Sequence, residues 1–297
     1  MDDQFDPTAF KKPTRLSAQA DDKHAFDPAA IKADIQAKAQ REEDLLTAPL
    51  GPVPTWSFSR LMQYENCPYS VYLKSVMKCP DPSGIAAERG SLVHEVIENY
   101  IQCETDSLVP VMLPGMKKID LAPFTPLIQK LRDDFSTGTV EVEGDWGFTR
   151  AWEPTDFFGP DAWGRMKLDA IDFEGVLPAE ATSAVAHDWK TGRKFGNELK
   201  HNQQGMVYAI GAFMRYPNLQ FIETQFSYLD EKDVLRNKYS RERAMLLKPM
   251  IDKRTNRMTT ATEFPPKPSL QACKWCPHAK VQEGFDKPAC EFAYQEL

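Results

Sequence analysis

The chain has 297 residues, of which 42% are hydrophobic and six are tryptophan, so it carries enough apolar material for a sizeable core. Its formal net charge of −7 argues against a protein that coats nucleic acid nonspecifically, because such binding needs a broad excess of lysine and arginine. It contains no apolar run of about 18 residues, and its polar, acidic start is not typical of a secretory signal, so we expect a cytoplasmic protein without membrane contact.

The first part of the chain, residues 1–54, is polar and poor in aromatic side chains, and it ends in the proline-rich run Pro49–Pro54. We expect a flexible arm followed by a semi-rigid linker. The stretch Ile31–Leu46 can form a helix, although its apolar positions are too few to bury much surface. A tail that binds a partner is the alternative to a disordered arm. The folded domain is then expected over residues 55–297.

Helical patterns dominate the next part of the chain. Ser57 is a suitable N-cap for a helix that ends at Asn66, and a second helical stretch ends near Val76. A third, amphipathic helix is expected over Arg89–Gln102, and His94 falls on the edge of its apolar stripe. The stripe consists of Leu92, Val93, Val96, Ile97 and Tyr100.

Strand patterns begin after an irregular, proline-rich insertion and a helix expected over Leu127–Phe135. The alternating stretch Val140–Trp152 is predicted to be a hairpin, because it contains the turn-like sequence Glu143–Gly147. The stretch Gly164–Ile171 also alternates polar and apolar residues, as a half-buried strand does, and it places Asp169 on the polar face.

A further strand carries an acid and a lysine. Asp188 and Lys190 are two residues apart, so their side chains point to the same face, whereas His187 should face the opposite side and have a structural role. A hairpin between this strand and the preceding one would bring Asp169 beside Asp188. An acid and a lysine at this spacing often form only a surface ion pair, so the pattern indicates a catalytic site only together with the other motifs of the sequence.

The remaining patterns complete a mixed α/β order of elements. Gln204 and Tyr208 are four residues apart in an amphipathic helix and therefore share a face, although alone they would be ordinary helix residues. A strand is expected over Leu219–Leu229. The segment Lys232–Arg257 has nine basic and three acidic residues, a local charge of +6. It is either a solvated helix face or a track for phosphates.

The acid, acid, lysine set suits phosphodiester hydrolysis. Two carboxylates within reach of one divalent cation allow a water to become nucleophilic near neutral pH, so Asp169 and Asp188 fit the role of metal ligands. Lys190, on the same face, can orient that water or offset negative charge in the transition state. His94 alone would more often be a helix-edge histidine satisfied by a backbone group.

These residues, in this order, resemble the PD-(D/E)XK nuclease superfamily, specifically its RecB-like exonuclease branch. The resemblance covers roughly residues 57–290 and implies a mixed central β-sheet flanked by helices, with a restriction-endonuclease-like core. Its motifs are Ser57-Phe58-Ser59-Arg60-Leu61, Tyr64-Glu65-Asn66-Cys67-Pro68-Tyr69, Gly90-x-x-x-His94, Gly164-x-x-x-x-Asp169, Asp188-Trp189-Lys190-Thr191-Gly192 and Gln204-x-x-x-Tyr208.

The resemblance implies further site residues. His94 would be an additional metal ligand, and the Trp189 carbonyl would complete the shell. Gln204 and Tyr208 would position the substrate and are counted with the catalytic residues. The cofactor would be Mg²⁺ or Mn²⁺, and an imidazole ligand shifts the preference towards Mn²⁺, because nitrogen suits the transition metal better.

Four of the six cysteines form a candidate metal set rather than a disulfide framework. Cys273, Cys276 and Cys290 lie near the end of the sequence, and Cys67 lies far upstream. Four thiolates can hold zinc or an iron–sulfur cluster, and a set without metal is the third alternative. The resemblance to iron–sulfur RecB-like nucleases, including the CRISPR-associated and AddB-type enzymes, implies a structural [4Fe–4S] cluster. The thirteen residues between Cys276 and Cys290 depart from the tightest forms of that pattern.

The sequence thus predicts a metal-dependent DNA nuclease, most simply an exonuclease of recombination, repair or replication. Its compact form without a helicase is compatible with a phage origin and hence with the host cytoplasm. DNA, single-stranded or with free ends, is the expected partner, together with a recombination or single-strand-binding protein. The alternatives are a catalytically silent nucleic-acid-binding or scaffold protein on the same fold, and a nuclease that processes CRISPR spacers.

Overall fold

The computed structural model describes residues 28–82 and 84–294. Their helical elements comprise eight α-helices and two short 3₁₀ turns, Ala122–Phe124 and Pro277–Ala279. The α-helices are α1 (Pro28–Thr47), α2 (Phe58–Asn66), α3 (Pro68–Ser75), α4 (Ile85–Ile101), α5 (Thr125–Ser136), α6 (Glu198–Arg215), α7 (Arg241–Thr259) and α8 (Leu270–Lys274).

Six strands form one mixed sheet in the order β2-β1-β3-β4-β5-β6. Strands β4 and β5 are parallel, and every other neighbouring pair is antiparallel. The strands are β1 (Val140–Phe148), β2 (Pro154–Thr155), β3 (Gly164–Asp172), β4 (Ser183–Lys190), β5 (Phe221–Tyr228) and β6 (Asp233–Ser240). The prediction of a mixed central sheet flanked by helices is confirmed.

Two compact units divide the chain, Met1–Glu42 and Glu43–Leu297. In the first unit, the described residues belong to α1, which matches the helix predicted over Ile31–Leu46, and their described side chains are exposed. Residues 1–27 of the predicted arm lie outside the described part of the chain. None of the described helices has the length and apolar character needed to cross a membrane.

Apolar side chains cover both faces of the sheet and so fix where its polar residues point. On one face, α6 packs over Leu168, Ala186 and Phe226. On the other face, α4 and α5 pack over Trp189 and neighbouring side chains. Helix α6 comes very close to the sheet, because a Cβ added to Gly205 would lie 2.5 Å from Thr224 Oγ1. Since β4 alternates its side chains, Asp188 lies on the α6 face of the sheet.

Three sequence predictions need correction in detail. The hairpin predicted over Val140–Trp152 does not turn at Glu143–Gly147, because that stretch continues through β1 and pairs with β3. The chain turns later, where Thr149 N donates to Glu153 O. Helix α4 begins at Ile85, four residues before its predicted start at Arg89. Strand β6 was not predicted, because its basic residues obscure the alternation of side chains.

Candidate active site and cysteine cluster

The first group of site residues joins α4 to the centre of the sheet. His94 Nδ1 lies 3.0 Å from Asp169 Oδ1, and His94 Nε2 lies 2.7 Å from the Trp189 carbonyl oxygen. The other carboxylate oxygen of Asp169, Oδ2, accepts a 2.7 Å hydrogen bond from Trp189 N. Strands β3 and β4 pair with Ala170 opposite His187, so Asp169 and Asp188 are cross-strand neighbours. Asp169 Oδ1 and the Trp189 carbonyl oxygen, both expected to bind a metal, therefore contact the same imidazole, that of His94.

The second group surrounds Asp188, which is 3% exposed. Lys190 Nζ lies 2.6 Å from Asp188 Oδ1, and the Tyr208 hydroxyl donates a 2.9 Å hydrogen bond to Asp188 Oδ2. Gln204 Nε2 lies 3.3 Å from the same Oδ2 and 2.6 Å from the Tyr208 hydroxyl. The four side chains expected from β4 and α6 are thus in one hydrogen-bonded group.

The charges of the site are strongly coupled because they are buried together. Burial lowers the pKa of His94, but the hydrogen bond to Asp169 and the charge of that carboxylate outweigh it and raise the pKa to about 9. Burial raises the pKa of Asp169, and the negative charge of Asp188 raises it further. Burial and both carboxylates raise the pKa of Tyr208 well above its usual range, so its hydroxyl stays protonated. Positive charge is therefore favourable between the two acids.

Glu143 is a candidate ligand that the sequence reasoning missed. It lies in β1, where the pairing of Val142 with Ala170 and of Gly144 with Leu168 sets it across from Asp169. Its backbone is left-handed, with φ of 48°, which is uncommon for a residue with a side chain. One ligand atom each from His94, Glu143 and Asp169 all lie within 4.8 Å of one another. The turn-like sequence around Glu143 is the signal that marks this position, although it predicts a hairpin turn rather than a ligand.

These groups line one cleft of about 510 Å³. Its wall includes the candidate residues of α4, β3, β4 and α6, and also the ion pair between Glu143 and Lys167. The residues lining it are Ala87, Gly90, Ser91, His94, Glu95, Glu98, Glu143, Lys167, Asp169, Asp188, Lys190, Gln204 and Tyr208. His187 does not line this cleft. It lies on the other face of the sheet, where its ring stacks on that of Trp189.

A buried ion pair holds α4 against the end of β4. Arg89 donates two hydrogen bonds to Asp230, of 2.6 and 2.8 Å, and a third of 2.7 Å to the Lys117 carbonyl. Asp230 also accepts a 2.8 Å hydrogen bond from Gly192 N, just beyond Lys190. The helix that carries His94 is thereby tied to the strand end that carries Lys190.

The four candidate cysteines converge, although about two hundred residues of sequence separate Cys67 from the other three. Cys67, Cys273, Cys276 and Cys290 all line one small cavity. Burial raises the pKa of the Cys276 thiol, and the nearby Cys67 and Cys273 raise it further. Among the described residues, no three cysteine sulphurs lie within 4.8 Å of one another.

Acids of the domain pair with several cations of the basic segment Lys232–Arg257. Arg236 and Lys238 pair with Glu223, and Arg254 pairs with Glu65. Arg241 donates to four backbone carbonyls and so has a structural role. Much of the local positive charge is therefore neutralised by partners within the domain, which weakens the hypothesis of a phosphate track there.

A comparison with models of protein families agrees with this geometry. A family model of the PD-(D/E)XK nuclease superfamily matches residues 55–281. A search of the curated proteins found no match. Among solved structures, a crystal structure of SSO0001 is similar with 14% sequence identity and a TM-score of 0.37, covering 85% of this chain and 96% of that chain.

Proposed function

Because the chain belongs to the PD-(D/E)XK nuclease superfamily, we propose that it is a metal-dependent DNA nuclease, acting as an exonuclease in recombination, repair or replication. The observation that carries the proposal is the contact of Lys190 with Asp188 at 2.6 Å, across from Asp169 in one cleft. An intact set of two acids and a lysine argues against a silent scaffold protein. The proposed partner of this nuclease is DNA, single-stranded or with free ends, in the cytoplasm.

The RecB-like branch is part of the proposal. Two observations support it: His94 of α4 lies between Asp169 and the Trp189 carbonyl, and Gln204 and Tyr208 of α6 both approach Asp188. Both arrangements are what the motifs of that branch imply. A recombination or single-strand-binding protein is the protein partner that fits this activity.

The donor set fits a hard divalent cation. Asp169, Asp188, His94 and the Trp189 carbonyl would hold it, with Glu143 as a further carboxylate. The imidazole already bridges Asp169 and the Trp189 carbonyl, so these oxygens favour a positive partner. A bound Mg²⁺ or Mn²⁺ supplies a Lewis acid that activates water and polarises the phosphate. Because one ligand is nitrogen, Mn²⁺ is favoured over Mg²⁺.

The protein's own groups have separate roles. Lys190 orients the attacking water or offsets charge on the phosphate in the transition state. Tyr208 and Gln204 hydrogen-bond to Asp188 Oδ2, which fixes the carboxylate, while Asp188 Oδ1 faces Lys190. These two residues thus position the acid from the α6 side.

The cysteine set completes the proposed domain, residues 55–297, by joining Cys67 to the region 273–290. All four cysteines line one small cavity, which supports a shared metal group, and the resemblance to iron–sulfur RecB-like nucleases favours a [4Fe–4S] cluster over zinc. The role of the cluster would be structural, because it would link the two ends of the domain.

The experiment is a cleavage assay on end-labelled single- and double-stranded DNA with Mg²⁺ or Mn²⁺. We expect Asp188→Asn and Lys190→Ala each to lower the rate at least about a hundredfold, since each removes a charge from the reacting centre. Lys238→Ala is the matched control, because this lysine is 83% exposed and pairs with Glu223 away from the cleft. Either site variant cleaving at the wild-type rate, in preparations free of contaminating nuclease, would overturn the assignment.

A further inference from the structure

The segment that links β4 to α6, Thr191–Asn197, leaves the catalytic strand directly after Lys190. Gly192 and Gly196 have φ of 97° and 84°, a conformation that glycine adopts without strain. The backbone is nevertheless anchored, because Gly192 N donates to Asp230 and Lys194 N donates to Glu231. The segment is therefore anchored where it leaves the strand that carries Lys190.

Two large apolar side chains, one in this segment and one in the first turn of α6, are exposed to solvent. Phe195 is 87% exposed, the largest exposed fraction of any large hydrophobic side chain among the described residues, and Leu199 is 78% exposed. Exposing an aromatic ring forgoes the favourable free energy of burial. An exposed ring five residues beyond Lys190 in the chain is suited to contact with a substrate.

Two cations lie near Phe195 in the sequence, Arg193 before it and Lys200 after it. Arg193 and Lys200 are exposed, and in the described part of the chain neither forms an ion pair with an acid. By contrast, Lys194 between them is neutralised by Asp233 at 2.7 Å. The unpaired charges are thus available to an anionic ligand.

The position of Lys200 relative to the catalytic centre follows from helix geometry. Lys200, Gln204 and Tyr208 are spaced by four residues in α6, so they lie on one face of the helix. Gln204 and Tyr208 contact Asp188. Desolvation by neighbouring protein atoms, together with the positive charge of Lys190, lowers the pKa of Lys200. Lys200 therefore continues the face of α6 that carries Gln204 and Tyr208, and it lies near enough to Lys190 for their charges to interact.

Chain length limits how far Phe195 can lie from Lys190. It is five residues beyond Lys190, so the chain allows at most roughly 18 Å between their Cα atoms. If one phosphate of a DNA strand lies at Lys190, the neighbouring nucleotides of that strand would span this distance. An aromatic ring with neighbouring cations is the combination that binds single strands, by stacking on base faces and by pairing with phosphates.

We propose that Arg193, Phe195 and Lys200 bind a single strand of DNA next to the reacting phosphate, with a base stacked on Phe195 and phosphates at the two cations. This inference rests on the proposed nuclease function and adds a substrate preference to it. Single strands are favoured because the base faces of a duplex are already stacked on each other.

The test measures affinity directly, by fluorescence anisotropy of a labelled oligothymidine with Ca²⁺ in place of the catalytic metal. We expect Phe195→Ala to weaken binding about tenfold, Phe195→Leu to weaken it similarly, and Phe195→Trp to retain it, because stacking needs a ring. Arg193→Ala and Lys200→Ala should each weaken binding. Each should also make the slope of the logarithm of affinity against the logarithm of salt concentration shallower by about 0.7 per lost phosphate contact.

Phe221→Ala is the matched control. Phe221 is 62% exposed but lies at the start of β5, at the opposite end of the strand from Tyr228, which pairs with Lys190. It should bind like the wild type. Since both phenylalanines are largely exposed, thermal unfolding should be unchanged for all these variants, which checks that they fold.

The outcomes separate this inference from the function beneath it. A wild-type protein that neither binds nor cleaves DNA would overturn both. A wild type that cleaves DNA, with Phe195→Ala binding as Phe221→Ala does, would overturn only the role of Phe195. Full affinity in Phe195→Leu would exclude stacking. An equal loss of affinity for single strands and for blunt duplex in Phe195→Ala would exclude the preference for single strands.

Discussion

The ion pair between Arg89 and Asp230 should be essential to the stability of the domain. The side chains are only 6% and 17% exposed, and Arg89 donates two short hydrogen bonds to the carboxylate and one to the Lys117 carbonyl. Arg89→Met keeps the length of the side chain but removes the charge. Asp230 would then retain only the hydrogen bond from Gly192 N, as a largely buried anion.

Removing one partner of a buried pair costs about 3 to 5 kcal/mol, because the remaining charge is uncompensated. This is a large part of the roughly 5 to 15 kcal/mol by which domains are stable. At about 2 to 4 °C per kcal/mol for a chain of this size, the midpoint of thermal unfolding should fall by roughly 10 °C. Asp230→Asn should cost less, because Arg89 keeps its bond to Lys117 O, and the double variant should cost less than the sum of the two.

Urea unfolding followed by circular dichroism measures these free energies. Lys194→Met is the matched control, since the pair of Lys194 with Asp233 is 24% and 52% exposed and should contribute less than about 1 kcal/mol. The reasoning would be refuted if Arg89→Met cost no more than Lys194→Met, or if the effects of Arg89→Met and Asp230→Asn were strictly additive.

Four further predictions concern the site, the cysteines and pH. His94→Ala should reduce the advantage of Mn²⁺ over Mg²⁺ in cleavage, and an unchanged metal preference would remove this nitrogen from the metal site. Glu143→Gln should raise the Mn²⁺ concentration for half-maximal cleavage about tenfold by removing a carboxylate charge, with thermal unfolding as the check on folding. The wild type purified without oxygen should be brown and hold about four irons per chain. Cys276→Ser should give colourless, less stable protein that still cleaves DNA at low temperature. A colourless wild type with one zinc per chain would contradict the assignment of a cluster. Burial lowers the pKa of His187 to about 4, so the buried ring is neutral and its contribution to the free energy of unfolding is complete above pH 6.5. As the pH falls to 4, protonation should lower the free energy of unfolding by up to about 3 kcal/mol. His187→Leu should make the free energy of unfolding in urea less dependent on pH over that range, and an unchanged dependence on pH would refute this cause.

Much of the site was predictable because its geometry is local. Side chains two apart in a strand or four apart in a helix share a face in any fold, so Asp188 with Lys190, and Gln204 with Tyr208, could be paired from spacing alone. The pairing of Asp169 with Asp188 required one further assumption, that consecutive strands are neighbours, and the antiparallel register of β3 and β4 agrees with it.

Long-range pairing was not predictable, because nothing local encodes which distant groups meet. Arg89 and Asp230 are 141 residues apart, and their partnership depends on where α4 docks on the sheet. The local charge of +6 over Lys232–Arg257 suggested a phosphate track, yet Glu65 and Glu223, which neutralise part of it, lie far away in the sequence or on another strand.

The sequence by itself therefore indicated the acid, acid, lysine set and the helix faces that approach it, because these depend on residue type and period, whereas the long-range cysteine set followed from residue type and the resemblance to a known family. Only the tertiary structure decided that Glu143 joins His94 and Asp169. That position depends on the register of β1 against β3 and on a left-handed backbone at Glu143, and both are set by strand pairing across the sheet rather than by neighbouring residues.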